Sequence, residues 1–186
     1  MKDRSVKITR PKSLELYTDS DDAPIPVKDD RTLARQIALQ ALYEIDCTAH
    51  DPLQVIDIHQ RAQNPNKRAS RYFRMLVLGT HKHHEASDHA IRVYAPEYPL
   101  DQIAIIDRNI LRMAIYEFAV SGMTPMGAAI DEAVELAKQF GADGSPAFIN
   151  GVLGSLADDA DMLNTLRQPD EADPSVDEET SHDDTL

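Results

Sequence analysis

The chain has 186 residues, a single cysteine and a formal net charge of −13, and its length suits one folded domain with extra residues at the ends. One cysteine excludes an intramolecular disulfide framework and a multi-cysteine zinc site, and it is typical of a reducing compartment. The first residues lack the apolar core of a signal peptide, and no run is long and apolar enough to span a bilayer. We therefore expect a soluble cytoplasmic protein.

The negative charge is concentrated at one end of the chain. Residues 158–186 contain eleven acidic residues and one basic residue, a net charge of −10, which leaves −3 for residues 1–157. The total charge therefore does not exclude nucleic-acid binding by the rest of the protein. Residues 1–29 and 167–186 show no hydrophobic period, so we predict a flexible N-terminal arm and a disordered acidic tail around a helical domain at 30–166.

A helical period recurs throughout this domain, and no alternating strand pattern with a hairpin turn is present, which predicts an all-α fold. The first helix begins near Arg31 and turns an apolar stripe inward, with Arg31 and Arg35 outside it. The pair Asp51 and Pro52 begins a short second helix. After the segment NPNKRAS, one long helix is predicted to continue to Tyr94, where the following Ala-Pro pair ends it.

The next segment, DQIAIIDRNILRMAIYEFAV, is apolar around most of its circumference, which predicts a central helix packed on several sides. Glu117 lies within this apolar run. A buried carboxylate needs a cationic partner, and we expect Arg108 or Arg112 to supply it as a structural ion pair.

The last two predicted helices are the most clearly delimited. The helix after Pro125 is expected to end at Gly141 in a left-handed cap. Ser145, followed by proline, is expected to cap the final helix. Gly151 and Gly154 inside that helix predict a close approach of a neighbouring helix, because glycine otherwise weakens a helix interior.

No motif in the chain indicates catalysis. A glycine-rich phosphate loop, a Walker sequence, a GxSxG elbow and an HExxH pair are all missing. The segment HKHHEASDH, from His81 to His89, places histidines and acids one helical turn apart, but no distant pair completes a zinc site. We therefore predict a solvated polar face there, with no metal, cofactor or catalytic residue.

Three segments together resemble the NusB family of bacterial transcription antitermination factors. They are ARQIALQALYEID in the first helix, ILRMAIYEF in the central helix and AIDEAVELAKQFGADGSPAFINGVLGSLA at the end, in the family's order and with comparable spacing. The resemblance implies about seven helices in two three-helix bundles that share a long central helix. It also implies binding of boxA-type RNA together with NusE, a ribosomal small-subunit protein. Through the RNA polymerase antitermination complex, such binding supports processive transcription and maturation of ribosomal RNA.

The resemblance also implies which residues make these contacts. The RNA surface would begin at the start of the first helix with Arg31 and Arg35, supplemented by Lys28. It would continue at the loop GADGSPAF, through Ser145 and Phe148. Phe148 either stacks on an unpaired base or packs in the core. The surface for NusE would include Tyr94 and Asp107, since an exposed acid suits a basic partner.

Two other interpretations remain open at this point. A helical interaction or dimerisation module without RNA binding would fit the sparse arginine patch and the negative charge. A relative of the N-terminal domain of rRNA cytosine methyltransferases would fit the same motifs, although that enzyme needs a separate cofactor-binding sheet. The resemblance leaves open whether the protein forms a homodimer.

Overall fold

A computed structural model describes residues 30–48 and 50–168, and within these ranges all regular structure is helical. The predicted N-terminal arm, including Lys28, and the predicted tail from residue 169 onward lie outside the described residues. The helices are α1 (Asp30–Thr48), α2 (Pro52–Gln63), α3 (Lys67–Lys82), α4 (His84–Tyr94), α5 (Ile105–Ile115), α6 (Met126–Phe140), α7 (Ser145–Ala157) and α8 (Ala160–Arg167). The predicted all-α class is confirmed.

Helix α5 lies between two groups of helices. On one side α1, α2 and α3 pack on one another, and on the other side α6 packs on α7, while α4 contacts both α5 and α7. All residues from 109 to 115 of α5 are buried. The prediction of a central helix surrounded by neighbours is therefore correct, and its apolar circumference is explained by contacts on both sides.

The chain leaves α-helical geometry at the end of α5. Residues Tyr116–Val120 form one π-helical turn, in which the Ser121 N–H donates to the Tyr116 carbonyl at 2.9 Å. The sequence predicts an ordinary α-helix through Val120. The wider turn instead brings Glu117, Phe118 and Ala119 into the core together, and such turns are frequent at functional positions.

The long helix predicted before Tyr94 is interrupted at His83. The backbone of His83 has ψ 23°, which separates α3 from α4. The His83 ring stacks on the Tyr116 ring with centroids 6.0 Å apart. Tyr116 also fills the space above Gly79, where an added Cβ would lie 1.9 Å from the tyrosine Cζ. The prediction of a single helix is therefore wrong. The helix breaks where Tyr116, at the end of α5, packs against Gly79 and His83, and the missing side chain of Gly79 makes room for the tyrosine ring.

The glycines before and within α7 have roles different from those predicted. Gly141 has φ −90° and ψ −179°, so the left-handed cap is wrong. Glycine is needed there because a Cβ would lie 2.5 Å from the Ser145 Cβ and 2.7 Å from the Ala137 carbonyl oxygen. A Cβ at Gly151 or Gly154 would meet nothing within 4 Å, so the predicted close helix approach is also wrong.

Helix α8 was not predicted as a separate element. The Asp159 carboxylate caps it by accepting from the N–H groups of Asp161 and Met162 at 3.0 and 2.9 Å. The buried Leu163 and Leu166 belong to the hydrophobic core, and α8 packs on the π-helical turn. Among the described helices, none has the length and apolarity needed to cross a membrane.

Candidate nucleic-acid interface

The two arginines at the start of α1 occupy different environments. Arg35 is only 3% exposed. Its Nε donates to the Glu117 carboxylate at 3.0 Å and its Nη2 donates at 2.8 Å. The predicted surface position of Arg35 is therefore wrong, and so is the prediction that Arg108 or Arg112 is the partner of Glu117. The expected structural ion pair exists, but it joins α1 to the π-helical turn.

Further side chains complete this buried pair. Tyr72 donates its hydroxyl to Glu117, and the Thr124 hydroxyl donates at 3.0 Å. On the solvent side, Glu132 lies 3.4 Å from Nη1 of Arg35. Burial opposes the charge on Arg35, but the hydrogen bond and charge of Glu117 outweigh it and raise the arginine pKa. Burial and the Glu117 charge raise the pKa of Tyr72 to about 12. Arg35 is thus held as a cation beside a neutral phenol.

Arg31, one helical turn earlier, is exposed. Its guanidinium carbon lies 5.3 Å from the centroid of the Tyr72 ring, a cation–π contact that holds the group at the surface. Tyr72 therefore contacts both arginines, because the Arg35 guanidinium carbon lies 5.5 Å from the same ring. Of the two arginines predicted at the start of the first helix, Arg31 is the exposed one, while Lys28 lies outside the described residues.

The loop between α6 and α7 is fixed from inside by Ser145. Its side chain is buried, with a residue exposure of 3%. The hydroxyl accepts from the Ala142 N–H at 2.9 Å and donates to Oδ2 of Asp107 at 2.8 Å. Ser145 is the first residue of α7, and the predicted capping role is wrong, since no side chain caps that helix. Its hydroxyl braces the loop against α5 and does not face solvent.

Phe148 lies at the edge of a surface groove. It is partly buried, and its ring meets Tyr98 edge-on with centroids 5.3 Å apart. Tyr98 is 54% exposed. A groove of about 400 Å³ runs past both rings, lined also by Tyr94 and Gly151. Sequence reasoning missed Tyr98, although an aromatic residue between two prolines in a short loop is a recognisable sign of a displayed ring.

The two residues predicted to meet NusE also make internal contacts. The Tyr94 hydroxyl donates to Oδ2 of Asp159 at 2.7 Å, which ties α4 to the start of α8. Desolvation and this carboxylate raise the pKa of Tyr94 to about 12. Asp107 accepts from Ser145 through one oxygen, whereas its other oxygen, Oδ1, is buried without a hydrogen-bond partner. Neither residue is fully buried, so each retains some accessible surface.

A second buried charge cluster contains the remaining central arginines. Arg112 donates to both oxygens of Asp88 at 2.6 and 2.7 Å, and to Asp46 at 3.0 Å. Arg108 also donates to Asp46, at 3.1 Å. Asp88 lies within the segment HKHHEASDH, and the described part of the chain contains no group of three His, Cys, Asp or Glu side chains placed to hold a metal.

The sequence reasoning also missed a row of cations on α3. Lys67, Arg71, Arg74 and Lys82 are exposed on this helix. Their spacing of four, three and eight residues is readable in the sequence as one helical face. The sequence analysis treated NPNKRAS as a break in the helical pattern, whereas α3 begins within it, at Lys67.

Comparisons with known proteins agree on one family. Residues 32–158 match the model of the NusB family. The transcription antitermination protein NusB of Roseiflexus sp. (strain RS-1) is 41% identical over 128 residues, which cover 68% of this chain and 90% of the relative. The protein of the same name from Dehalococcoides mccartyi (strain ATCC BAA-2266) is 38% identical over 141 residues, covering 76% of this chain and 97% of the relative.

Solved structures give the same result for the fold. T. maritima NusB matches with a TM-score of 0.63 at 29% identity, covering 68% of this chain and 89% of the other. A structure of the antitermination factors NusB and NusE in complex with dsRNA contains a chain that matches with a TM-score of 0.63 at 26% identity. That match covers 68% of this chain and 95% of the other.

Proposed function

The chain belongs to the NusB family, and from this premise we propose that it is a transcription antitermination factor that binds boxA-type RNA together with NusE. In this role it joins the RNA polymerase antitermination complex in the cytoplasm and supports processive transcription and maturation of ribosomal RNA. It acts by binding alone, without covalent chemistry. Residues 30–166 form the binding domain, with an N-terminal arm and an acidic tail on either side.

One observation carries the proposal most directly. The fold is shared with a protein whose solved complex contains NusE and dsRNA, and on this fold Arg31 is exposed at the start of α1 over the Tyr72 ring. A planar guanidinium on an aromatic support is oriented to donate hydrogen bonds to a phosphate group. The geometry therefore favours an RNA-binding factor over an interaction module without an RNA surface.

The residues predicted for RNA divide into contacting and supporting groups. Arg31 contacts phosphate, with Lys28 beside it in the sequence, and Phe148 with Tyr98 offers ring surface to an unpaired base. Arg35 acts indirectly, because its ion pair with Glu117 fixes the position of Tyr72 under Arg31. Ser145 likewise positions the loop before Phe148.

NusE binds next to this loop in the same proposal. Asp107 lies in a shallow groove of about 310 Å³ whose lining includes Tyr98 and Phe148. Tyr94 lines the adjoining groove beside Phe148. An acid among aromatic rings suits a basic ribosomal protein. The RNA and the protein partner would therefore bind to adjoining surfaces that meet at Phe148. This proximity explains how each can strengthen the binding of the other.

A titration of labelled single-stranded boxA-type RNA with the full chain, with and without purified NusE, tests the proposal. We expect RNA binding that tightens when NusE is present. Replacing Asp107→Asn should weaken the enhancement by NusE more than it weakens binding of RNA alone. If the chain bound NusE but never bound RNA, the interaction-module interpretation would replace this one.

Arg31→Gln should weaken RNA binding about fivefold at 0.1 M salt and leave NusE binding intact, because one phosphate contact to a single strand contributes about 0.7 to the salt slope. Arg61→Gln is the matched control. It removes one exposed cation that is already paired with Asp57 on its own helix, so RNA affinity should not change. Equal affinities for the two variants would contradict the role of Arg31.

Phe148→Leu should weaken RNA binding by about 1–3 kcal/mol, the contribution of one base stacked on an aromatic ring. Leucine keeps apolar contact in the groove while removing the ring face. Urea unfolding of the same variant separates stacking from packing. A loss of stability without a loss of RNA affinity would assign Phe148 to the core.

A further inference from the structure

Helix α3 presents cations to solvent on one face, here named the α3 strip: Lys67, Arg71 and Arg74 in succession, then Lys82 beyond the partly buried Leu78. At 100° per residue these four positions fall within about 80° of one another around the helix axis. The buried residues of α3, such as Phe73, Leu76 and Val77, lie on the opposite face. The strip therefore has no packing role, and its side chains are free to meet a partner.

The cations of the strip have no acidic partner on their own helix. The α3 sequence KRASRYFRMLVLGTHK contains no acidic residue. Among the described residues, none of the four strip side chains forms an ion pair, whereas Arg35, Arg108 and Arg112 each bind a carboxylate. An unpaired row of four positive charges is unusual in a chain with a net charge of −13, and it produces a local positive potential on one face.

Most charges of the strip do not stabilise helix α3. Lys67 lies in the first turn of α3, where the partial positive charge of the helix N-terminus repels a cation. Lys67 and Arg71 are four residues apart, and Arg71 and Arg74 are three apart, so neighbouring like charges repel along the strip. Only Lys82, in the last turn, suits the helix dipole. Because Lys67, Arg71 and Arg74 do not stabilise the helix and serve no packing role, we take binding of an anionic partner as the physical reason to have them.

The strip begins beside the proposed RNA contact at Arg31. The Asn66 side chain, which caps α3, donates to Oδ1 of Asp30 at 2.6 Å and so joins the first residues of α3 and α1. Tyr72 of α3 carries Arg31 on its ring. Arg68, also exposed, lies between this tyrosine and the strip around the helix. From there the strip extends about 22 Å along the surface, at 1.5 Å per residue.

We propose that the α3 strip is a second RNA-binding surface, which holds the phosphate backbone of single-stranded RNA that continues from the segment bound at Arg31. The inference rests on the proposed function and extends it. Contacts of this kind carry no base specificity. The strip would therefore increase affinity for any RNA that extends past the boxA-type element, independently of the flanking sequence.

The test uses the full chain with two RNAs: a short boxA-type element, and the same element with an unstructured extension on either side. The strip variant is Arg71→Gln with Arg74→Gln. The control variant is Arg61→Gln with Lys138→Gln, which removes the same charge from exposed helical positions whose cations are paired with acids on their own helices. Affinity is measured from 0.05 to 0.5 M salt.

We expect the strip variant to bind the extended RNA about 25-fold more weakly than the wild type at 0.1 M salt, with a slope of log K against log salt shallower by about 1.4, since each lost contact contributes about 0.7. Its binding of the short element should change less, and the control should match the wild type with both RNAs. This pattern, including a loss of the advantage of extended over short RNA, would support the proposal.

Three results would overturn the inference, and each is distinct. If the wild type binds neither RNA, the proposed function fails and the strip fails with it. If the wild type binds RNA and the strip variant binds the extended RNA equally well, the strip alone fails. The acidic residues 170–184 of the chain's own tail are the other anionic candidate. If the strip variant binds the extended RNA more tightly than the wild type, and neutralising Glu171, Glu178 and Glu179 to glutamine has the same effect, the tail occupies the strip in place of RNA.

Discussion

The buried group around Glu117 and the α3 strip use the same residue type for opposite purposes. In the core, Arg35 donates to Glu117 at 2.8 Å and to the Tyr72 hydroxyl at 3.3 Å, and the Thr124 hydroxyl donates to the same carboxylate. On the strip, arginines and lysines face solvent without an acidic partner among the described residues. The core cation joins α1, α3 and the π-helical turn, whereas the first three strip cations, Lys67, Arg71 and Arg74, repel one another on the helix surface.

The difference shows how the position of a charge decides its effect. A buried ion pair is costly to break, because the partner left behind remains buried and charged. An exposed cation costs little to remove, since water solvates the helix surface equally well without it. The two regions should therefore respond in opposite directions when a charge is removed: the core should lose stability, and the strip should lose RNA affinity while stability is kept or increased.

The largest expected effect is on the core. Glu117→Gln should lower the free energy of unfolding by about 3–5 kcal/mol, because Arg35 would remain buried without its buried carboxylate and would keep only the partly exposed Glu132 at 3.4 Å. Urea unfolding followed by circular dichroism measures the change. The control is Glu135→Gln, whose carboxylate pairs with Lys138 at the surface; there we expect about 0.5 kcal/mol or less. Similar losses in both variants would mean that the buried group contributes no more than a surface pair.

A smaller effect is expected at the Tyr72 hydroxyl. Tyr72→Phe should lower the free energy of unfolding at pH 8 by about 1–2 kcal/mol, since the hydroxyl donates to buried Glu117. RNA affinity should fall less than in Arg31→Gln, because the ring beneath Arg31 is kept and only the hydroxyl that fixes its position is lost.

The pH dependence sharpens this prediction. Burial and the Glu117 charge raise the pKa of Tyr72 to about 12 in the folded protein, whereas an unfolded tyrosine titrates near 10. A pKa raised on folding gives stability that is fully present below pH 10 and is lost as the pH rises towards 12. The difference in unfolding free energy between wild type and Tyr72→Phe should therefore shrink above pH 10. A constant difference up to pH 11.5 would contradict the shifted pKa.

The smallest expected change in the free energy of unfolding is on the strip, and at Lys67 it is a gain where the core variants give a loss. Lys67→Glu should raise the free energy of unfolding by about 0.3–1 kcal/mol, because a negative charge in the first turn suits the helix dipole and relieves repulsion with Arg71. Lys82→Glu, at the other end of α3, should lower it by a similar amount. Both variants should weaken binding of the extended RNA. Destabilisation by both would show that the strip cations have a structural role.

Much of the fold could be predicted from the sequence, because local signals determine where helices begin and end. The N-cap at Asp51, whose carboxylate accepts from the Gln54 N–H at 3.1 Å, and the end of α4 at Tyr94 follow from residues within one turn of each position. The break at His83 and the π-helical turn at Tyr116 could not be predicted in this way. They arise where two segments more than thirty residues apart press against each other.

The candidate site was less predictable than the fold. The family motifs identified the start of α1 and the loop before Phe148, and the structure places Arg31 and Phe148 with accessible surface. Their roles stay predictions. The sequence could not show that Ser145 turns its hydroxyl inward to Asp107, 38 residues away, because the same residue at a helix start more often caps the helix.

By itself, the sequence determined the all-helical class, the order of the main helices and the family, since periodicity and short motifs are properties of neighbouring residues. Only the tertiary structure decided which charges are available for binding. Arg31 and Arg35 lie one turn apart on the same helix and are equivalent in local pattern. One is exposed and the other is buried because Glu117, 82 residues after Arg35, packs against the second and not the first. No local signal encodes that contact, and it separates an exposed arginine from one that holds the core together.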